Sequence, residues 1–302
     1  MGTVSSPALA VAVAEAGGLG SITAFGMAAP VLARMLSGMV TSTDGALAAN
    51  FLTDGIDRDA VEVAATMVRV VDFFWSEPDP GMVDLVHRQG ALACWQVGSA
   101  PAAEAAVAAG CDLVAVQGTE AGGHVWGDTP LLQLLATVVE AVDVPVLAAG
   151  GIADARTLAA VLAAGASGAR VGTRFIASEE SGAHPDYVDA VLAATGDATE
   201  ITGTFSFECP LCAVMARTRV LRSSVTAAHA LEADVAGVVE RRDGEVPVPR
   251  FGPIPPSHRT RGHIEAMALY AGQGVGLVHR CAPAGEVLTE LCDGAEHLLR
   301  RW

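Results

Sequence analysis

The stretch Asp112-Leu113-Val114-Ala115-Val116-Gln117-Gly118-Thr119-Glu120-Ala121-Gly122-Gly123-His124 decides the fold. A short apolar run ends in an amide side chain, then three glycines lead to a histidine. This pattern describes a buried strand opening into a loop whose backbone approaches a neighbour closely. The same beat recurs on both sides. Strand-like runs at 19–22, 46–52, 70–75, 91–97, 112–117, 144–149 and 169–176 are each followed by a stretch with helical spacing, the signature of parallel βα units. Cap residues mark several helix starts: Ser6-Pro7, Ser99 before Ala100-Pro101, Thr129-Pro130 and Asp154.

The fold class expected is therefore α/β, a (β/α)8 TIM barrel. A helix at 7–16 comes first, where a barrel needs a strand before it, so the first strand is expected to be missing in front of Met1-Gly2. After 178 the beat breaks into Gly-, Pro- and charge-rich pieces. The expected organisation is a barrel of 1–178 and 262–302, with 179–261 a mostly helical insertion on the substrate side. A closing helix is expected at 262–274 and an amphipathic one at 284–300.

Composition closes several function classes. The 302 residues carry 34 acidic side chains against 18 basic ones, a formal charge of −16, which argues against nucleic acid as partner. All the basic residues are arginine. Without lysine there is no Schiff-base, pyridoxal-phosphate or P-loop chemistry. No uninterrupted apolar run has the length of a membrane span, and no leader peptide is evident, so a cytoplasmic protein is expected. Cys209-Pro-Leu-Cys212 has CxxC spacing, but no second CxxC or HxxxH follows, so these are read as small thiols at a helix start and no metal is expected.

In a barrel the chemistry lies just after the strands. Gln117 offers an amide to a heterocycle and His124 a titratable ring. Gly150-Gly151 and Arg170-Val171-Gly172-Thr173 form glycine-bearing strand ends suited to a phosphate. Taken with Ala16-Gly17-Gly18-Leu19-Gly20, Asn50, Arg219-Val220-Leu221-Arg222-Ser223 and the segment from Met267 to Gly274, these residues resemble the nitronate monooxygenases over nearly the whole chain.

The resemblance implies an FMN-dependent barrel. It implies that Asn50 and Gln117 contact the isoalloxazine and that Gly122 packs beside it. Gly150, Gly151, Arg170, Val171, Gly172 and Thr173 would hold the phosphate, with Arg170 either adding charge or pointing outward into solvent. His124 would be the catalytic base for a nitroalkane or the hydrogen-bond partner of an alkyl nitronate. Dioxygen would be the oxidant, and a carbonyl compound and nitrite the products. Two other readings share these motifs: an FMN-dependent NAD(P)H oxidoreductase of the enoyl reductase type, and a flavin-binding protein without turnover. The chain is compatible with a homo-oligomer.

Overall fold

The computed structural model describes residues 2–52, 55–213, 215–241 and 244–301. Met1, at the boundary of the expected missing strand, lies outside them. Chain order begins α1 (Pro7–Glu15), β1 (Gly20–Thr23), α2 (Ala29–Val40), β2 (Leu47–Leu52), α3 (Arg58–Met67), β3 (Val70–Phe74), α4 (Pro80–Arg88), β4 (Leu92–Val97), α5 (Ala100–Ala108) and β5 (Leu113–Gln117). It continues with β6 (Gly123–His124), α6 (Leu131–Ala141), β7 (Val146–Ala149), α7 (Ala155–Ala163), β8 (Gly168–Arg170) and α8 (Thr173–Ile176).

Strands β1, β2, β3, β4, β5, β7 and β8 form one sheet in that order, parallel throughout. Alternation along each strand sorts the side chains. Ala49, Phe51, Val71, Phe73, Ala93, Trp95, Val114 and Val116 pack under the helices. Ala48, Val70, Cys94 and Ala115 pack on the opposite face with Leu92, Leu113 and Leu147. One step further along that second face stand Asn50, Asp72, Gln96, Gln117 and Arg170.

The curl of the sheet follows from a single bridge. Arg170 on β8 pairs with Asp72 on β3, four strands away, which in a flat sheet would be ~19 Å. Only a sheet rolled into a half-barrel brings them together. Among the described residues the parallel sheet has the seven strands expected from the runs in the sequence, with β1 and β8 at the two edges.

Other segments cross between those edges. Gly182 N donates to Val4 O at 2.9 Å, and Ser5 Oγ donates to Ser21 O on β1 at 2.6 Å. The last helix, α11 (Ala284–Leu299), packs on both α7 and α1. It buries Ala284, Val287, Leu291 and Ala295, completing the helical layer.

The expected strand at 169–176 is split: β8 stops at Arg170 and α8 begins after Gly172, where the backbone turns. Residues 179–261 hold two helices, α9 (Pro185–Leu192) and α10 (Arg222–Ala230), but also strands that the helical expectation lacks. These are β9 (Thr199–Thr202), β10 (Thr218–Leu221), β11 (Val235–Arg241), β12 (Gly244–Pro249) and β13, Thr260–Gly262. Together with β6 they form two three-stranded sheets, β6-β10-β9 and β12-β11-β13, antiparallel in both. Alternating β-branched residues such as Val246 and Val248 favour this over helix. The expected helix at 262–274 is replaced by two 3-10 turns, Ile264–Ala266 and Gln273–Leu277; Gly272 and Gly274 lower the helical propensity of its end.

Candidate active site

The inward face ends in a polar cluster at the C-terminal edge of the sheet. Asn50 Nδ2 donates to Asp72 Oδ2, as does Arg170 Nη2, while Arg170 Nη1 donates to Gln96 Oε1. Asp72 is 1% exposed, and its second oxygen, Oδ1, is buried without a hydrogen-bond partner. A buried carboxylate oxygen left this way is costly, so it marks a position where a ligand N–H would be stabilised. Arg170 does not point outward into solvent: its guanidinium turns into the barrel mouth, onto Asp72 and Gln96. Burial and the charge of Asp72 push the neighbouring Cys94 thiol up.

Gln117 is also engaged. Its Nε2 donates to His124 O at 2.9 Å and its Oε1 accepts from Trp126 N at 3.0 Å. Both ends of the amide that was expected to face a flavin thus hold the 124–126 segment, which makes Gln117 a positioning residue for His124. Thr218 on β10 pairs with His124 from the other side.

The glycine loops converge on residues 271–274. Gly272 N donates to Thr173 Oγ1 at 2.9 Å, and Gln273 N donates to Glu120 O at 2.9 Å. A Cβ on Gly122 would lie 2.6 Å from Gly272 N, so its bare face lets this backbone cross. Gly150 and Gly151 have φ of +124° and +69°, a turn that side-chain-bearing residues resist. Glu120 closes the arrangement: its carboxylate accepts from Leu131 N at 2.9 and 3.1 Å, capping α6 in place of the expected Thr129. Arg219 supports the same loop, donating from Nε to Thr119 O at 2.9 Å.

Around His124 the walls are aromatic. Its ring lies 5.2 Å from Trp75, edge to face, and 6.0 Å from Tyr270, with Trp126 a further 4.9 Å from Trp75. Trp75 follows β3 with φ +80°, a strained conformation for a bulky residue. Its indole Nε1–H donates to Leu211 O at 2.8 Å. Burial pulls the His124 ring down to about 4, so the imidazole is neutral near pH 7. Its Nε2 lies 3.4 Å from Cys209 Sγ and 3.5 Å from Cys212 Sγ. Burial pushes the Cys212 thiol up to about 12, with a further contribution from Cys209.

Sequence reasoning missed Asp72, Gln96, Trp75 and Tyr270. A lone acid inside Val70-Val71-Asp72-Phe73-Phe74 was the available signal for the first. Nothing local marks Tyr270 or the approach of Cys209 and Cys212 to His124, which depends on the β6–β10 pairing.

Comparison with known proteins adds the chemical class. The sequence profile described as nitronate monooxygenase matches residues 46–294. The chain is 36% identical over 190 residues to a (3aS,4S,5R,7aS)-5-hydroxy-7a-methyl-1-oxo-octahydro-1H-indene-4-carboxyl-CoA dehydrogenase of Rhodococcus jostii. That match covers 60% of this chain and about half, 51%, of the length of that relative. In three dimensions the chain resembles FabK from Thermotoga maritima, with a TM-score of 0.80 at 27% identity over 100% of this chain and 92% of the other. It also resembles a nitroalkane oxidase from Streptomyces ansochromogenes, with a TM-score of 0.78 at 29% identity over 99% and 94%. No helix among the described residues is long and apolar enough to cross a membrane.

Proposed function

Because the chain belongs to the nitronate monooxygenase family of oxidoreductases, we propose that it oxidises alkyl nitronates with dioxygen to a carbonyl compound and nitrite, using FMN. The observation that carries the reading is the cluster at the strand ends. Asp72 Oδ1 is an unpartnered acceptor flanked by the donors of Asn50 and Arg170, a set complementary to an N–H between two carbonyls. The pyrimidine edge of an isoalloxazine has that pattern, and on this ground the residues fit FMN. Gly150, Gly151 and the run Val171, Gly172 and Thr173 would hold its phosphate, as backbone N–H groups in tight turns suit an anion.

When bound, the flavin supplies the electron transfer that the protein lacks on its own. The chain's residues do the rest. Gln117 holds the segment that carries His124, and Trp75, Trp126 and Tyr270 keep water from it. Neutral His124 takes the α-proton of a nitroalkane on Nε2; a preformed nitronate needs only binding. His124→Ala should therefore lower turnover of a neutral nitroalkane by about 10²-fold or more and that of the matching nitronate much less. Equal losses on both substrates remove His124 as the base.

The dehydrogenase relative favours a second reading, oxidation of a hydroxyacyl-CoA by the same flavin. Visible spectra of the anaerobic protein separate the readings. Flavin bands that change on adding an alkyl nitronate, and not on adding NAD(P)H or a hydroxyacyl-CoA, support the nitronate reading, and the reverse pattern overturns it.

A further inference from the structure

Among the described residues one set of three metal-ligating side chains converges: His124, Cys209 and Cys212, whose donor atoms all lie within 4.8 Å of one another. Their arrangement comes from three separate parts of the chain's folding. Strand β6 presents His124; the 3-10 turn Pro210–Ala213 brings Cys212 back beside Cys209; and the Trp75 indole, bonded to Leu211 O, fixes that turn over the barrel mouth.

Distances and donor types agree with a bound cation. A tetrahedral zinc ion, with Zn–S of about 2.3 Å and Zn–N of about 2.0–2.1 Å, holds an imidazole nitrogen and a thiolate about 3.5 Å apart. The two N–S separations here are 3.4 and 3.5 Å. The thiols stand 2.7 Å apart, so loading would spread them toward ~3.8 Å by rotation about their side chains. The donors are two sulfurs and one nitrogen, a soft set that selects zinc-like ions over magnesium or calcium. Two thiolates against a divalent ion leave no net charge, which suits walls made of Phe74, Trp75, Leu211 and Trp126. Three protein ligands leave one position for a small molecule.

We propose that His124 Nε2, Cys209 Sγ and Cys212 Sγ form a site for one thiophilic divalent cation, Zn2+ by its donor set, and that loading it withdraws His124 from proton transfer. Only the second half rests on the nitronate reading above. The first half is a statement about metal binding, and it is read without substrate.

The test uses the whole 302-residue chain, loaded with flavin, kept under reductant and titrated with Co2+. The expected result is one equivalent bound per chain, with the red d–d bands of thiolate-bound tetrahedral cobalt, which lie beyond flavin absorption. One equivalent of Zn2+ should erase them, and Cys209→Ser and Cys212→Ser should each abolish them while keeping the circular dichroism of the parent. Absent bands, or bands that survive both substitutions, overturn the site. For the second half, saturating Zn2+ should depress nitroalkane turnover by about 10²-fold, as loss of a positioned base does, and spare the preformed nitronate. Turnover unchanged by a bound ion overturns the withdrawal. A protein that turns over neither substrate yet gives the cobalt bands sinks the nitronate reading and leaves the metal site standing.

Discussion

Asp72 shows how one side chain organises the mouth of the barrel. It is buried, receives Asn50 and Arg170 on one oxygen, and leaves the other without a hydrogen-bond partner. Removing its charge leaves Arg170 facing the interior without a counter-ion. Arg170 retains 29% of its side-chain exposure, so the cost should fall below the range for a fully buried pair, at about 2–3 kcal/mol. Urea unfolding of Asp72→Asn measures this. Adding Arg170→Gln should restore part of the loss, since the unpaired cation is then gone. The thiols allow a second check at this scale. Burial holds the Cys94 thiol well above its usual range and pushes the Cys111 thiol up to about 12, so neither forms the reactive thiolate near pH 8. Exposed Cys281 should be alkylated in the native protein, while Cys94 and Cys111 are labelled only in denaturant; mass mapping of the modified thiols distinguishes the two outcomes.

Elements connect these residues to one another. The loop after β5 ends on α6, whose first N–H groups lack helical partners; Glu120 supplies the acceptor from within the glycine motif. A negative group there also meets the positive end of the helix. Glu120→Ala should lower stability by about 1 kcal/mol and loosen the loop bearing His124, whereas Glu120→Gln should keep most of the cap. Thermal midpoints of the two variants, compared with the parent, give the difference. Ser6, Ser99 and Asp154 cap α1, α5 and α7, as their sequence positions suggest, because those caps act within three residues. Glu120 acts across eleven, and its role follows from the fold of the loop.

Across the whole molecule, the helical layer closes where the strands do not. Helix α11 lies against α7 and α1, so Leu291, 4% exposed, packs over the region between the two sheet edges. Leu291→Ala should cost about 2–5 kcal/mol through lost burial and the cavity left behind. Hydrogen exchange should rise first in α1 and β1, which are held by that helix and by the Val4 and Ser5 bonds. Uniform loosening of all the barrel strands would show instead that α11 is not the local closure.

The strand-helix beat, the parallel sheet and the three glycine motifs follow from the sequence alone, because hydrophobic period, capping and glycine turns are local properties. The family resemblance follows from the same motifs. What the tertiary structure decided is the use of the polar residues. Curling of the sheet set Arg170 beside Asp72 at the barrel mouth, and pairing of β6 with β10 placed His124 against Gln117 and the two cysteines. Strands replaced helix in 179–261 because each gains its backbone partners from distant segments. Such choices depend on which long-range partner satisfies a buried polar group, and a local pattern does not carry that information.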